Sequence, residues 1–221
     1  MNLSELRDRH KGETIWVLGS GATLNHVDPS FFNDKIVIAT NLAAEGMGVD
    51  ADYVHSHYHE NIDSQAVKTF GPQYVTPMGD KGFAGTPSRR TDGVIYYDHE
   101  ATGVFETTGA WHPDGLLVGA SSMHGSMHLG AFMGAATLIL CGADCGLLDG
   151  ESNYSAYVDE YGRTKSGDLL TNDAMHWLAR WEAQLRFTKN ALVERYGVQI
   201  YSLNPFINLN LEGHVFTGVT V

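Results

Sequence analysis

The chain has 221 residues, 43% of them hydrophobic, enough for one sizeable core or one core with a small lid. Its 26 acidic residues against 14 lysines and arginines give a net charge of −12, which disfavours a broad duplex-DNA face or an anionic membrane surface. Two cysteines, Cys141 and Cys145, make neither a disulfide framework nor a CxxC pair, and no apolar run reaches the length of a membrane span. The charged opening "MNLSELRDRHKGE" lacks a signal-type apolar core, so the expectation is a reduced, cytoplasmic protein with a single domain over residues 1–221.

In chain order, short β-rich runs alternate with helical or loop segments. "TIWVLG" (14–19) runs into Gly19, Ser20 and Gly21 and then a polar, helix-starting segment. "KIVIAT" (35–40) is followed by Asn41, "DYVHSH" (52–57) ends on His55, Ser56 and His57, and "QYVTP" (73–77) and "VIYYD" (94–98) follow. "SSMHGSMHLGAFMG" (121–134) predicts a helix, because Met123, Met127 and Ala131 recur every fourth residue behind two serines suited to N-capping. It feeds the strand in "ATLILCG" (136–142), which Asp144 follows. From Thr171, "TNDAMHWLARWEAQLRFTKNALVERYG" predicts the longest helix, with Gly197 at its C′ position, ahead of the strand in "VQIYSL" (198–203).

Continuous apolar runs, rather than strict alternation, predict strands buried on both faces. The fold class is therefore α/β and Rossmann-like, a mostly parallel sheet flanked by helices. Residues 78–115 and 143–170 resist this reading. Irregular segments of that length are usually functional, and they predict a long lid-like insertion.

Ligands of such sheets bind beyond the carboxyl ends of the strands, where Gly19, Gly21, Asn41, His57 and Asp144 collect. Glycine removes the Cβ that would hold a phosphate away, and a following helix offers N–H groups. Gly19, Ser20, Gly21, Ala22 and Thr23 are thus candidates for a nucleotide phosphate or ribose, although "GSGAT" lacks the full GxGxxG and the P-loop lysine. Asp144 directly ends a buried strand and is a nucleotide-side candidate, or a magnesium ligand if the reaction uses that ion. Arg163 and Lys165 are basic residues in an irregular part of an acidic chain and could neutralise a phosphate. His124 and His128 stand four apart, a spacing that suits a metal or an anion but equally suits packed histidines.

The segments "TIWVLGSGATLNHVD", "VIATN", "GASSMHGSMHLGAFMGAATLILCGADCGLLDGESNYSAY" and "TNDAMHWLARWEAQL" with "YGVQIYSLNP" resemble, in this order, a superfamily with two characterised branches. One is the glycosyltransferase family 42 sialyltransferases. The other includes the archaeal 6-hydroxymethylpterin pyrophosphokinase and bacterial and phage proteins. The resemblance covers most of the chain apart from residues 60–115. It implies that Gly19, Ser20, Gly21 and Asn41 hold a nucleotide, with Ser121 or Ser122 opening the long helix beside it. It also implies that Tyr154 stabilises a leaving phosphate, while the second tyrosine position of the sialyltransferases is Gly146 here. Where those enzymes carry a histidine base just before "TNDA", this chain has Asp168, Leu169 and Leu170.

The expected activity is a nucleotide-dependent transferase, first a glycosyltransferase-like enzyme using a nucleotide sugar and a small-molecule or glycan acceptor. His57, His124 and Asp168 are the candidate bases. Magnesium-dependent diphosphate transfer to a hydroxymethyl heterocycle is the alternative, and a non-catalytic nucleotide-binding phage accessory protein is a third. No cofactor is required by the first reading and magnesium by the second. An oligomer is compatible with either.

Overall fold

The computed structural model describes residues 2–57, 71–78, 92–100, 115–117, 121–148, 151, 153 and 172–203. Its strands are β1 (Thr14–Leu18), β2 (Ile36–Thr40), β3 (Tyr53–His55), β4 (Gln73–Met78), β5 (Val94–Glu100), β6 (Gly115–Leu117), β7 (Thr137–Cys141) and β8 (Gln199–Ser202). They form one sheet in the order β6-β5-β4-β3-β2-β1-β7-β8, and every pairing is parallel. The helices are α1 (Ala43–Met47), α2 (Ser122–Phe132) and α3 (Asn172–Tyr196), with short 3-10 turns at Leu3–Leu6, Ala22–His26 and Pro29–Phe32.

The apolar runs have the expected cause. Ile15, Val17, Ile38, Leu138, Leu140 and Ile200 pack on one face with Met127, Leu129 and Phe132 of α2 and Leu185 and Leu192 of α3. Trp16, Leu18, Val37, Ala39, Ile139 and Cys141 pack on the other with Leu24, Phe32 and Ala43 from the short turns and α1. Alternate residues of each strand thus meet apolar cover on both sides, as a parallel sheet requires.

Strand order runs outward from β1 to β6 on one side and to β7 and β8 on the other. The connection reverses direction between β1 and β7, and a crevice at such a switch point is where open α/β sheets take their ligands. Leu18 is in register with both Ala39 and Cys141, so the ends of β1, β2 and β7 lie level with one another.

Ser121 caps α2, its side chain accepting from the Met123 N–H at 3.2 Å, and Gly197, with φ 68°, follows the end of α3. Two elements depart from expectation. The segment after the glycine turn is a single 3-10 turn rather than a longer helix, and β6 is a strand where residues up to 115 read as irregular. Most of the lid-like insertion lies outside the described residues. Among the described residues, no helix is long and apolar enough to cross a membrane.

Candidate functional site

The β1 turn is held by its alternate amides. The Gly19 N–H donates to Cys141 O at 2.7 Å, the Gly21 N–H to Gly142 O at 2.8 Å, and the Thr23 N–H to Asp144 Oδ2 at 2.8 Å. The Thr23 hydroxyl adds a second bond, 2.6 Å to Asp144 Oδ1. Asp144 is therefore a cap supplied from the turn after β7 to the short helical turn after β1. Burial raises its pKa, and the two bonds from Thr23 oppose that shift.

This arrangement gives the glycines a packing reason. A Cβ on Gly21 would lie 2.5 Å from Asp144 Cγ and Oδ2 and 2.7 Å from Gly142 O, and one on Gly19 would lie 2.6 Å from the same carbonyl. The glycine N–H groups are thus engaged with β7, not aimed at a ligand. The intervening Ser20 and Ala22 N–H groups have no hydrogen-bond partner among the described residues, although Ala22 is only 1% exposed. Ala22 opens the 3-10 turn, and the first N–H groups of a helical turn have no partner within it. The Ser20 hydroxyl donates to Asn153 Oδ1 at 3.0 Å.

Asn41 follows β2 with φ 56°, in the left-handed region that asparagine tolerates better than most residues. Its N–H donates to His55 O at 2.9 Å and its Oδ1 accepts from the Ser56 hydroxyl at 2.8 Å. The Asn41 side-chain amide nitrogen has no partner among the described residues.

The first turn of α2 reaches the same strand ends. Met123 Cε lies 2.7 Å from the position of a Gly19 Cβ, and the Ser122 hydroxyl accepts from the His57 N–H at 3.2 Å. Every residue of α2 is buried, so its polar side chains must find partners inside. Ser126 bonds Thr40 at 2.8 Å, His55 Nδ1 at 3.0 Å and the Ser122 carbonyl at 3.1 Å. His55 continues the chain through Nε2 to the Tyr97 hydroxyl at 2.9 Å. His128 Nδ1 accepts from the Leu117 N–H at 2.7 Å and its Nε2 meets the Tyr196 hydroxyl at 2.7 Å. Gly125 lets His55 and His57 lie against the helix backbone. A Cβ there would meet His55 at Cε1 and, at 2.6 Å, at Nε2, and His57 Nε2 at 3.2 Å.

His124 differs. Its Nδ1 bonds the Ser121 carbonyl at 2.8 Å, while its Nε2 is buried without a hydrogen-bond partner among the described residues. Burial pulls the histidines down, His55 and His128 to about 3 and His124 to about 4, so all three are neutral at pH 7. Burial likewise pushes both free thiols up, Cys145 to about 12, which leaves them unreactive.

The fold therefore brings together Gly19, Ser20, Gly21, Ala22, Thr23, Asn41, His57, Ser121, Ser122, His124 and Asp144. His124 and His128, read as a possible shared face, take partners on different elements. Among the described residues, no group of three or more histidine, cysteine or acidic side chains could hold a metal ion. Tyr154, Arg163, Lys165 and Asp168 lie outside the described residues. Sequence reasoning missed Asn153, Thr40, Ser126 and Tyr97. A polar residue inside the buried helix pattern was a usable signal for Ser126; nothing local marked Asn153.

No protein-family model matches the chain, and no curated protein matches it significantly. Among solved structures, the MAf glycosyltransferase from Magnetospirillum magneticum AMB-1 is similar in fold, with a TM-score of 0.51 and 12% identity over 94% of this chain. The match covers 36% of that protein, so this chain spans little more than a third of its length. The likeness is one of fold, an α/β architecture shared with a glycosyltransferase.

Proposed function

We propose that this chain is a nucleotide-dependent transferase, and that it transfers a glycosyl group from a nucleotide sugar. The observation that carries the reading is the convergence of uncommitted hydrogen-bond donors at the switch point. The Ser20 and Ala22 N–H groups and the Asn41 amide follow the carboxyl ends of the paired strands β1 and β2 and have no partner among the described residues, and phosphate or ribose oxygens bind at such strand ends in sheets of this kind. The fold likeness to a glycosyltransferase supports the choice of chemistry.

In this reading, Ser20, Ala22 and Asn41 take the nucleotide, with Gly19, Gly21, Thr23 and Asp144 shaping the turn that presents them. Ser122 and the buried histidines His57 and His124 flank the acceptor side. Tyr154, Arg163 and Lys165 are the residues that would receive charge on the departing phosphate. Asp144 already accepts from Thr23 on both carboxylate oxygens, which favours a loop-orienting role over a magnesium site and ranks diphosphate transfer second.

Calorimetry with CMP, CDP, UDP, GDP and ATP species, with and without magnesium, tests this reading. Asn41→Gly is the informative variant, because glycine accepts the left-handed backbone at no cost while removing the amide. Affinity for the nucleotide that binds should fall by about 1–3 kcal/mol in a variant that remains folded. Absence of binding by every nucleotide at millimolar concentration, or unchanged affinity in Asn41→Gly, refutes the assignment.

A further inference from the structure

The four polar side chains within α2 are not equivalent. Ser122, Ser126 and His128 are tied to His57, to Thr40 and His55, and to Leu117 and Tyr196. His124 keeps one ring nitrogen unpartnered at 0% exposure, on the turn that meets the ends of β1 and β3. Leaving a buried polar atom unsatisfied costs about 1–3 kcal/mol, so the atom calls for a complementary group.

The chemistry of that group follows from the other nitrogen. A carbonyl oxygen can only accept, so the Nδ1 facing the Ser121 carbonyl at 2.8 Å carries the proton of the neutral ring. Nε2 then presents a bare lone pair. Its complement is a hydrogen-bond donor, which excludes a fully ionised phosphate oxygen and fits a hydroxyl. The nucleotide face of the crevice has the opposite sense, because Ser20 N–H, Ala22 N–H and the Asn41 amide are donors awaiting acceptors.

We propose that the first turn of α2 is the acceptor subsite and that His124 Nε2 takes the proton of the incoming hydroxyl. This rests on the transferase reading above. The acceptor oxygen bonds to the anomeric carbon of the donor sugar, and the anomeric C–O bond to the nucleotide phosphate breaks with its electron pair left on the phosphate oxygen. The hydroxyl proton moves to Nε2, and the Ser121 carbonyl, already bonded to Nδ1–H, stabilises the imidazolium that forms. A base oriented by a fixed hydrogen bond on its far nitrogen is the arrangement that proton transfer needs. His55 and His128 are unsuited, since both nitrogens of each are engaged. His57 lies wedged against the Gly125 backbone and the His55 ring, 5.4 Å between ring centres.

Imidazole nitrogen NMR of histidine-labelled protein tests the proposal on the free chain. At pH 7 the His124 ring is expected in the Nδ1–H form with an unprotonated Nε2. Titration with glycerol and with galactose, as hydroxyl probes, should move the Nε2 resonance in the direction of an accepted hydrogen bond. The Nε2–H form, or an Nε2 resonance indifferent to both probes, overturns the proposal. His124→Asn keeps an amide N–H for the Ser121 carbonyl but has no Nε2, so it should fold and keep nucleotide affinity within about twofold. With the donor that turns over, its transfer rate should drop about 10²- to 10⁴-fold; an unchanged rate overturns the proposal. Loss of nucleotide binding in the wild type would sink the transferase reading by itself, while the resonances of the free protein still decide the role of His124.

Discussion

Thr23→Val isolates the clamp between β1 and β7. Valine matches threonine in shape, so no cavity opens, and the backbone bond from residue 23 to Asp144 Oδ2 survives. What disappears is the 2.6 Å bond from the hydroxyl to Asp144 Oδ1. Hydrogen bonds to charged groups contribute about 1.5–3 kcal/mol, and here the carboxylate is 4% exposed, so water cannot readily substitute. At roughly 2–4 °C per kcal/mol for a domain of this size, the melting temperature should fall by about 3–12 °C. The loss should also depend on pH. Burial raises the folded-state pKa of Asp144 above its ordinary 3.8 while the Thr23 bonds lower it, so the variant raises it further. A carboxyl with a raised folded pKa favours the fold below the unfolded value and loses that contribution as pH rises through the folded one. The destabilisation of Thr23→Val should therefore be larger at pH 7 than at pH 4. Asp144→Asn, which keeps an acceptor for the Thr23 N–H and discharges the buried group, should cost less than Thr23→Val at pH 7. Urea unfolding of the three proteins at both pH values decides the matter. Equal stability of Thr23→Val and wild type at pH 7, or a larger loss at pH 4, refutes the clamp.

Gly21→Ala should lower stability by about 1–3 kcal/mol, since the new methyl meets a pinned carboxylate and a backbone carbonyl that cannot retreat; wild-type stability in a denaturant titration would remove the packing reason for this glycine. Acid should destabilise the chain. His55, His124 and His128 are held neutral at about 3, 4 and 3 against an ordinary 6.5, so the unfolded state binds more protons and stability falls as pH drops from 6.5 toward those values. The urea midpoint should fall steadily from pH 6.5 to pH 4, and a midpoint that does not fall over that range would show that these rings are not held neutral by burial.

The strands "TIWVLG" and "ATLILCG" were legible because burial on two faces leaves a continuous apolar run, and α2 was legible from its serine cap and four-residue spacing. The three residues of β6 carry no such pattern. They are a strand because Val94–Glu100 pairs with them and because His128 takes the Leu117 N–H, both tertiary facts. The glycine turn was recognisable as special, but a sequence cannot say which neighbour lacks room for a Cβ. Here Gly142 and Asp144 come from the turn after β7, more than a hundred residues away, and only the adjacency of β1 and β7 reveals them. The pair His124 and His128 shows the same limit. Spacing places two rings on one helix side, but it does not show that His124 bonds the carbonyl of its own helix cap while His128 bonds Leu117 and Tyr196 from other elements.

The polar network beneath α2 explains how the crevice keeps its shape. Thr40 from β2, His55 from β3 and Tyr97 from β5 are joined through Ser126, so one buried chain fixes the helix against three strands. Apolar contacts would tolerate sliding of a helix rich in small residues, but a hydrogen-bonded chain at this depth does not, because any shift leaves a buried group unsatisfied. Gly125 permits that close seat by letting the two histidines of β3 and its following loop touch the helix backbone. The consequence reaches the site. Ser121, Ser122 and His124 belong to the turn directly above the network, while Asn41 and Ser56 belong to the residues directly after its strands. The donors that follow β1 and β2 and the lone pair on α2 are therefore held by one rigid frame, the preorganisation that the proposed transfer would need.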